Sequence, residues 1–131
     1  MIGLTARVSK PITIGTQLWC DDNSGAKRVE VIGVKKRQAH HSRQPGAGIG
    51  DIVTVSVKKG KPDMIKKKET AVIIRQKRSF RRGKERVRFT DNACVLIDDK
   101  KLPKATEIKG CVAREISERY PKVVAIASSV V

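Results

Sequence analysis

From Ile52 to Lys58 the chain alternates, with Val53, Val55 and Val57 on one face and Thr54 and Ser56 on the other. This is the period-two pattern of a strand with one buried side. Four further segments read as strands. Leu18-Trp19-Cys20 is short. Residues 28–36 are enriched in β-branched Val29, Val31, Ile32 and Val34 around Gly33, residues 69–77 contain the apolar run Ala71-Val72-Ile73-Ile74, and residues 92–98 hold the run Ala93-Cys94-Val95-Leu96-Ile97. Turn formers separate them: Asp21-Asp22-Asn23-Ser24-Gly25, a loop over 38–51 with Pro45, Gly46, Gly48 and Gly50, and a basic loop over 59–68 with Gly60 and Pro62. Residues 86–90 can fold back on 69–77 as a hairpin with Gly83 near its tip. No helical periodicity precedes residue 100. Short strands at this spacing predict a mainly β fold, a small five-stranded antiparallel β barrel, whose closure removes exposed strand edges. Residues 1–17 read as an extended, partly docked arm.

After residue 105 the pattern changes. Val112 and Ile116 share a helical face, and Glu115 and Arg119 sit at i, i+4. Beyond Pro121, Val123, Ile126, Ala127 and Val130 recur near helical spacing. The expectation is two short helices packed on the barrel. The 131 residues form a single domain, with the barrel over about 1–100 and the helical part over about 105–131.

Charge then changes the picture. The chain carries 29 Lys and Arg against 13 acids, a formal net charge of +16. Fourteen of those cations lie between Lys58 and Arg88, against only Asp63, Glu69 and Glu85. Without a polyanionic partner such a segment would repel itself. The candidate phosphate contacts are Lys35, Lys36, Arg37, Arg43, Lys58, Lys59, Lys61, Lys66, Lys67 and Lys68. With them go Arg75, Lys77, Arg78, Arg81, Arg82, Lys84, Arg86 and Arg88. Trp19, Phe80, Phe89 and Tyr120 are the only aromatics. Base stacking therefore contributes little, and the chain is expected to read backbone and shape, which favours folded, largely double-helical RNA over single strands. No helix carries groove-reading residues for duplex DNA. By contrast, residues 89–131 hold seven cations and six acids. That near-neutral surface suits protein contact, with Glu115, Glu118 and Arg119 as candidates.

Other constellations reduce to structure. Gly46-Ala47-Gly48-Ile49-Gly50 does not match GxGxxG and precedes a strand, so it reads as a tight turn. His40-His41 are adjacent in a loop without a nearby Cys or carboxylate, which suits an RNA surface better than a metal. Asp21-Asp22 and Asp98-Asp99 sit in turn contexts. Cys20, Cys94 and Cys111 form no CxxC and read as core residues of a protein in a reducing compartment. No nucleophile has a visible base, so no enzyme, cofactor or metal is expected. The N-terminus lacks a signal-peptide core, and the longest apolar run, Val123 to Ala127, is too short to cross a bilayer.

Several stretches together resemble the universal ribosomal large-subunit protein fourteen family over essentially the whole chain. They are Asp22-Asn23-Ser24-Gly25-Ala26, Gly48-Ile49-Gly50-Asp51, Val57-Lys58-Lys59-Gly60-Lys61-Pro62, Ala71-Val72-Ile73-Ile74-Arg75, the run from Phe89 to Ile97, and Val112-Ala113-Arg114-Glu115. The Lys-Gly-Lys-Pro element and the Val-Ile-Ile-Arg-Gln run are similar to the archaeal and eukaryotic-type branch. The resemblance implies a five-stranded barrel with small C-terminal helices and a projecting basic hairpin, in a cytoplasmic protein of the ribosome. It implies binding to large-subunit ribosomal RNA, neighbouring large-subunit proteins, and small-subunit ribosomal RNA across the interface through intersubunit bridges. It also implies docking of an anti-association initiation factor towards the C-terminal part. In this chain Arg82-Gly83-Lys84 replaces the Asp-Gly or Asn-Gly turn usual after the family's paired arginines, one residue shorter. The rival from another class is a free-standing basic nucleic-acid chaperone or chromatin-type protein.

Overall fold

The computed structural model describes residues 4–35 and 45–131. Five strands form a closed barrel in the order β1-β2-β3-β4-β7: β1 (Gln17–Cys20), β2 (Ala26–Val34), β3 (Ile52–Gly60), β4 (Lys68–Arg75) and β7 (Ala93–Ile97). Four of the five seams are antiparallel, as expected. The closing seam differs: β1 pairs β7 in parallel, with Trp19 beside Ala93 and Cys20 beside Cys94. A parallel closure cannot come from a tight hairpin, so the distant run 93–97 has to return to the first strand.

The alternation in β3 is borne out, since Val53, Val55 and Val57 are buried while Thr54 and Ser56 are half-covered. β4 and β7 are buried on both faces, which is why their apolar runs are unbroken. Segments outside the barrel cover β4. The backbone NH of Gly50 donates to Ile73 O at 2.9 Å, and that of Ala113 donates to Ile74 O at 3.1 Å. Ala47 and Ile49 of the glycine-rich turn are fully buried. Gly33 marks a bulge in the β2–β3 ladder. The arm docks at two bridges, Ile12 with Ala47 and Arg7 with Arg81.

The basic hairpin is β5 (Phe80–Arg82) paired with β6 (Glu85–Val87). β4 itself stops at Arg75 and does not form the first arm of that hairpin. Gly83 has φ +61° and no atom would meet a Cβ within 4 Å. With Lys84 at negative φ, this is a two-residue turn of the II′ kind, which needs glycine at its first central position. The shortened Arg-Gly-Lys sequence thus keeps a favoured hairpin turn.

The C-terminal expectation is corrected in part. Arg114–Glu118 is a 3-10 helix and α1 covers Pro121–Ala125. The last segment is not helical: β9 (Ala127–Val130) pairs in parallel with β8 (Ile108–Val112). Pairing with β8, in which Ile108 meets Ala127 and Val112 meets Val130, overrides the weak 3.6 periodicity.

One buried ionic cluster joins barrel and C-terminal layer. Arg75, 6% exposed, donates from Nε and one Nη to both oxygens of Asp91 at 2.9 and 3.0 Å, and from the other Nη to Cys111 O at 2.9 Å. It also pairs with Asp21. Burial disfavours the guanidinium charge, but the hydrogen bond to Asp91 and the field of Asp21 outweigh it and raise the pKa. Gly110 makes room for this: a Cβ there would collide with an Arg75 Nη and lie 2.5 Å from an Asp21 oxygen. No helix among the described residues is long and apolar enough to cross a membrane.

Two outcomes test this packing. Gly110→Ala should lower unfolding free energy by about 1–3 kcal/mol in urea titration, because the Arg75 Nη it would meet is the one that donates to Cys111 O, and moving it disturbs the bonds to Asp91 as well. Cys94 is fully buried beside Cys20, and the hydrogen bond between them together with burial holds its thiol protonated. Alkylation of Cys94 should be slow until denaturant is added. Cys111, only half-buried, should react first of the three.

Candidate nucleic-acid interface

β4 divides the basic segment. Lys58, Lys59, Lys61, Lys66, Lys67 and Lys68 are exposed around the β3–β4 connection, at the strand's start. Lys77, Arg78, Arg81, Lys84, Arg86 and Arg88 are exposed beyond its end. The eight residues between are mostly buried, and at about 3.3 Å per residue they hold the two groups some 25 Å apart. What is one charge run in sequence is two cation clusters in space. The first is shaped by a turn in which Lys66 adopts φ +67° and its NH donates to Val57 O at 2.9 Å. Within it Lys58 pairs loosely with Glu30 at 3.4 Å. In the second, Arg86 donates to Ser79 Oγ at 3.0 Å and Arg81 to Gly83 O at 3.3 Å, which orients both along the hairpin. Lys35 is exposed at the end of β2, while Lys36, Arg37 and Arg43, with His40 and His41, lie outside the described residues.

Two of the expected phosphate contacts are spent internally. Arg75 is enclosed by Asp21 and Asp91. Arg82 donates to both oxygens of Glu115 at 2.9 and 2.5 Å and to Val131 O at 3.1 Å. It also lies over the Phe80 ring at 5.5 Å. The hairpin is therefore stapled to the C-terminal layer through Arg82, the strand residue next to its turn.

The expected protein contacts change for the same reason. Glu115 is 2% exposed, so it holds Arg82 and cannot be a surface group. Arg119 is drawn inward to Asp51 at 3.2 Å and to Gly50 O at 3.0 Å. Asp51 also accepts from Lys10 at 2.6 Å and from the Gly48 NH at 2.9 Å. Glu118 accepts from the Thr5 hydroxyl at 2.5 Å and the Thr5 NH at 3.1 Å, which lowers its pKa. A lowered carboxylate contributes its stabilisation above the unfolded value and loses it as pH falls, so the arm is held less firmly in acid.

Sequence reasoning missed these internal roles because an Arg in a basic run looks the same whether or not a distant acid meets it. It also missed Gln76, fully buried, whose amide accepts from the Ile49 NH at 3.0 Å and donates to Ser9 Oγ at 2.8 Å. Among the described residues, no three His, Cys, Asp or Glu side chains converge on a metal site.

A small closed barrel with exposed cations at both ends of β4 and a stapled basic hairpin presents a strongly positive surface. Residues 11–131 match the family described as ribosomal protein L14p/L23e. The large ribosomal subunit protein uL14 of Methanothrix thermoacetophila is 52% identical over all of both chains. Those of Methanoregula boonei, at 50% over 96% of both, and Methanococcus vannielii, at 45% over 97% of both, are also similar. The chain belongs to the L14p/L23e ribosomal protein family, a family of structural, non-enzymatic constituents of the large subunit.

Removing the staple and removing the tip charges should have opposite signatures. Arg82→Ala leaves Glu115 buried without its partner and should cost about 3 kcal/mol or more of stability. Arg81→Ala and Lys84→Ala, at exposed positions, should each stay within about 0.5 kcal/mol. Thermal unfolding of the three variants measures this.

Proposed function

We propose that this chain anchors itself in the large ribosomal subunit by neutralising ribosomal RNA phosphates with its two cation clusters, and that it sits among other large-subunit proteins in the assembled ribosome. The observation that carries the reading is the pair of exposed clusters at opposite ends of a buried strand. A rigid spacer of about 25 Å between them sets which phosphates can be met at once, so shape is read without base contacts. Lys neutralises diffuse charge around the β3–β4 connection, and Arg offers fixed bidentate geometry on the hairpin.

Contacts across the subunit interface with small-subunit RNA, and docking of an anti-association factor, belong to the same reading. The place expected for the factor is the near-neutral C-terminal region, where Val130 and Val131 are exposed and Glu118 remains half-exposed. Aliphatic contact there would supply affinity.

Replacing Arg81, Lys84, Arg86 and Arg88 with Ala should weaken binding to a large-subunit ribosomal RNA fragment. The salt dependence should become shallower by about one unit for each phosphate that is no longer neutralised. Arg82 is left intact so that the fold is not at issue. Unchanged affinity and slope would falsify the hairpin's part. Co-sedimentation with large subunits through a high-salt wash separates this reading from a free-standing basic chaperone, which would bind duplex DNA equally well.

A further inference from the structure

Three of the four aromatic side chains are inside: Phe80, Phe89 and Tyr120 are 2%, 9% and 3% exposed. Trp19 is 48% exposed. It stands on β1 between inward-facing Leu18 and Cys20, so strand alternation fixes it on the outer face of the barrel. Its register partner on β2 is Arg28, whose guanidinium carbon lies 4.6 Å from the indole centroid. Arg28 in turn pairs in register with exposed Lys59 on β3. Trp19, Arg28 and Lys59 thus lie side by side across three strands, in a row that a bulge in the β2–β3 ladder interrupts at Arg28 and that ends in the first cation cluster.

The row has the two parts that single-strand recognition on a barrel needs. The guanidinium over one face of the indole fixes the ring and leaves about half of the residue's surface open. Lys59 lies two strand spacings away, about 10 Å, where it can meet the backbone of a nucleotide whose base lies on the ring. We propose that Trp19 and Arg28 form a stacking platform for one unpaired base of a bound RNA. The proposal rests on the RNA-binding reading above and adds to it a single-stranded element that the charge clusters alone do not require. The surrounding cations decide the occupant, because a neutral or basic protein surface gains nothing from Arg28 and Lys59 and a nucleotide gains from both.

Trp19 is the only tryptophan, so its fluorescence reports on this surface alone. Full-length protein at low salt is titrated with short oligoadenylate, with a blunt RNA duplex of the same length, and with heparin. Oligoadenylate should quench the fluorescence, while the duplex and heparin bind with little quenching. Trp19→Leu should lower oligoadenylate affinity about tenfold and leave duplex affinity unchanged. Trp19→Phe, which keeps a ring, should recover most of the loss, setting stacking apart from a folding defect. Equal oligoadenylate affinity for Trp19→Leu, or equal quenching by heparin, overturns the platform and leaves phosphate binding standing. Failure of the unaltered protein to bind either RNA overturns the RNA-binding reading, and the platform with it.

Discussion

The fold depends on the Arg75 guanidinium and the two carboxylates that enclose it. Arg75 ends β4, Asp21 follows β1, and Asp91 precedes β7. β4 pairs β7 antiparallel, and β7 pairs β1 at the barrel's parallel seam, where no hairpin can hold register. A bidentate bond to Asp91, a contact with Asp21 and a third bond to the β8 backbone fix the seam and dock the C-terminal layer on it. Burying a lone guanidinium would be prohibitive, so this cluster works only complete. Gly110 is the space it requires, and the apolar runs of β4 and β7 are buried on both faces because this layer lies over them.

Arg82 repeats the device at smaller scale. Its bonds to Glu115 and Val131 O tie the hairpin to the chain's last residues, while Arg7 and Arg81 exchange backbone hydrogen bonds at 2.9 and 3.2 Å and tie it to the arm. The hairpin is short, three residues a side, and an isolated two-stranded hairpin is marginal in water. Docking on both termini makes it a fixed element, so the cations at its tip are presented in one geometry instead of many. Pre-organised charge loses less entropy on meeting phosphate than a mobile basic tail does.

What the sequence made legible was what local pattern determines. The alternation in β3, the apolar runs of β4 and β7 and the turn formers between them carried the barrel, and strand ends moved by only a few residues. Three features escaped for a common reason. The parallel seam, the β8–β9 pair and the internal roles of Arg75, Arg82 and Arg119 all depend on partners far along the chain. Val123, Ile126 and Val130 fit a helical period because aliphatics in a short segment fit more than one period; Ile108 and Val112 on β8 decide between them. The basic cluster was legible as charge, but its division by β4 was not, since a buried strand and a basic loop are equally contiguous in sequence.

Net charge consequently overstates what reaches a polyanion. The cations drawn into the structure are arginines: Arg75, Arg82 and Arg119 have side chains 8%, 11% and 10% exposed. Paired lysines stay wetter, with Lys10, Lys104 and Lys58 at 29%, 37% and 48%. The chemistry explains the division. A guanidinium is weakly hydrated, planar and able to satisfy several acceptors at once, so it can be enclosed between carboxylates and carbonyls, whereas an ammonium keeps its water. Interior arginines close the barrel and staple the hairpin. The lysines around the β3–β4 connection and the tip arginines are left outside, where condensed counterions can be displaced. One residue type thus serves two ends, and its partner decides which. Where a carboxylate arrives from a distant segment, the arginine becomes part of the fold; where none does, its charge stays at the surface.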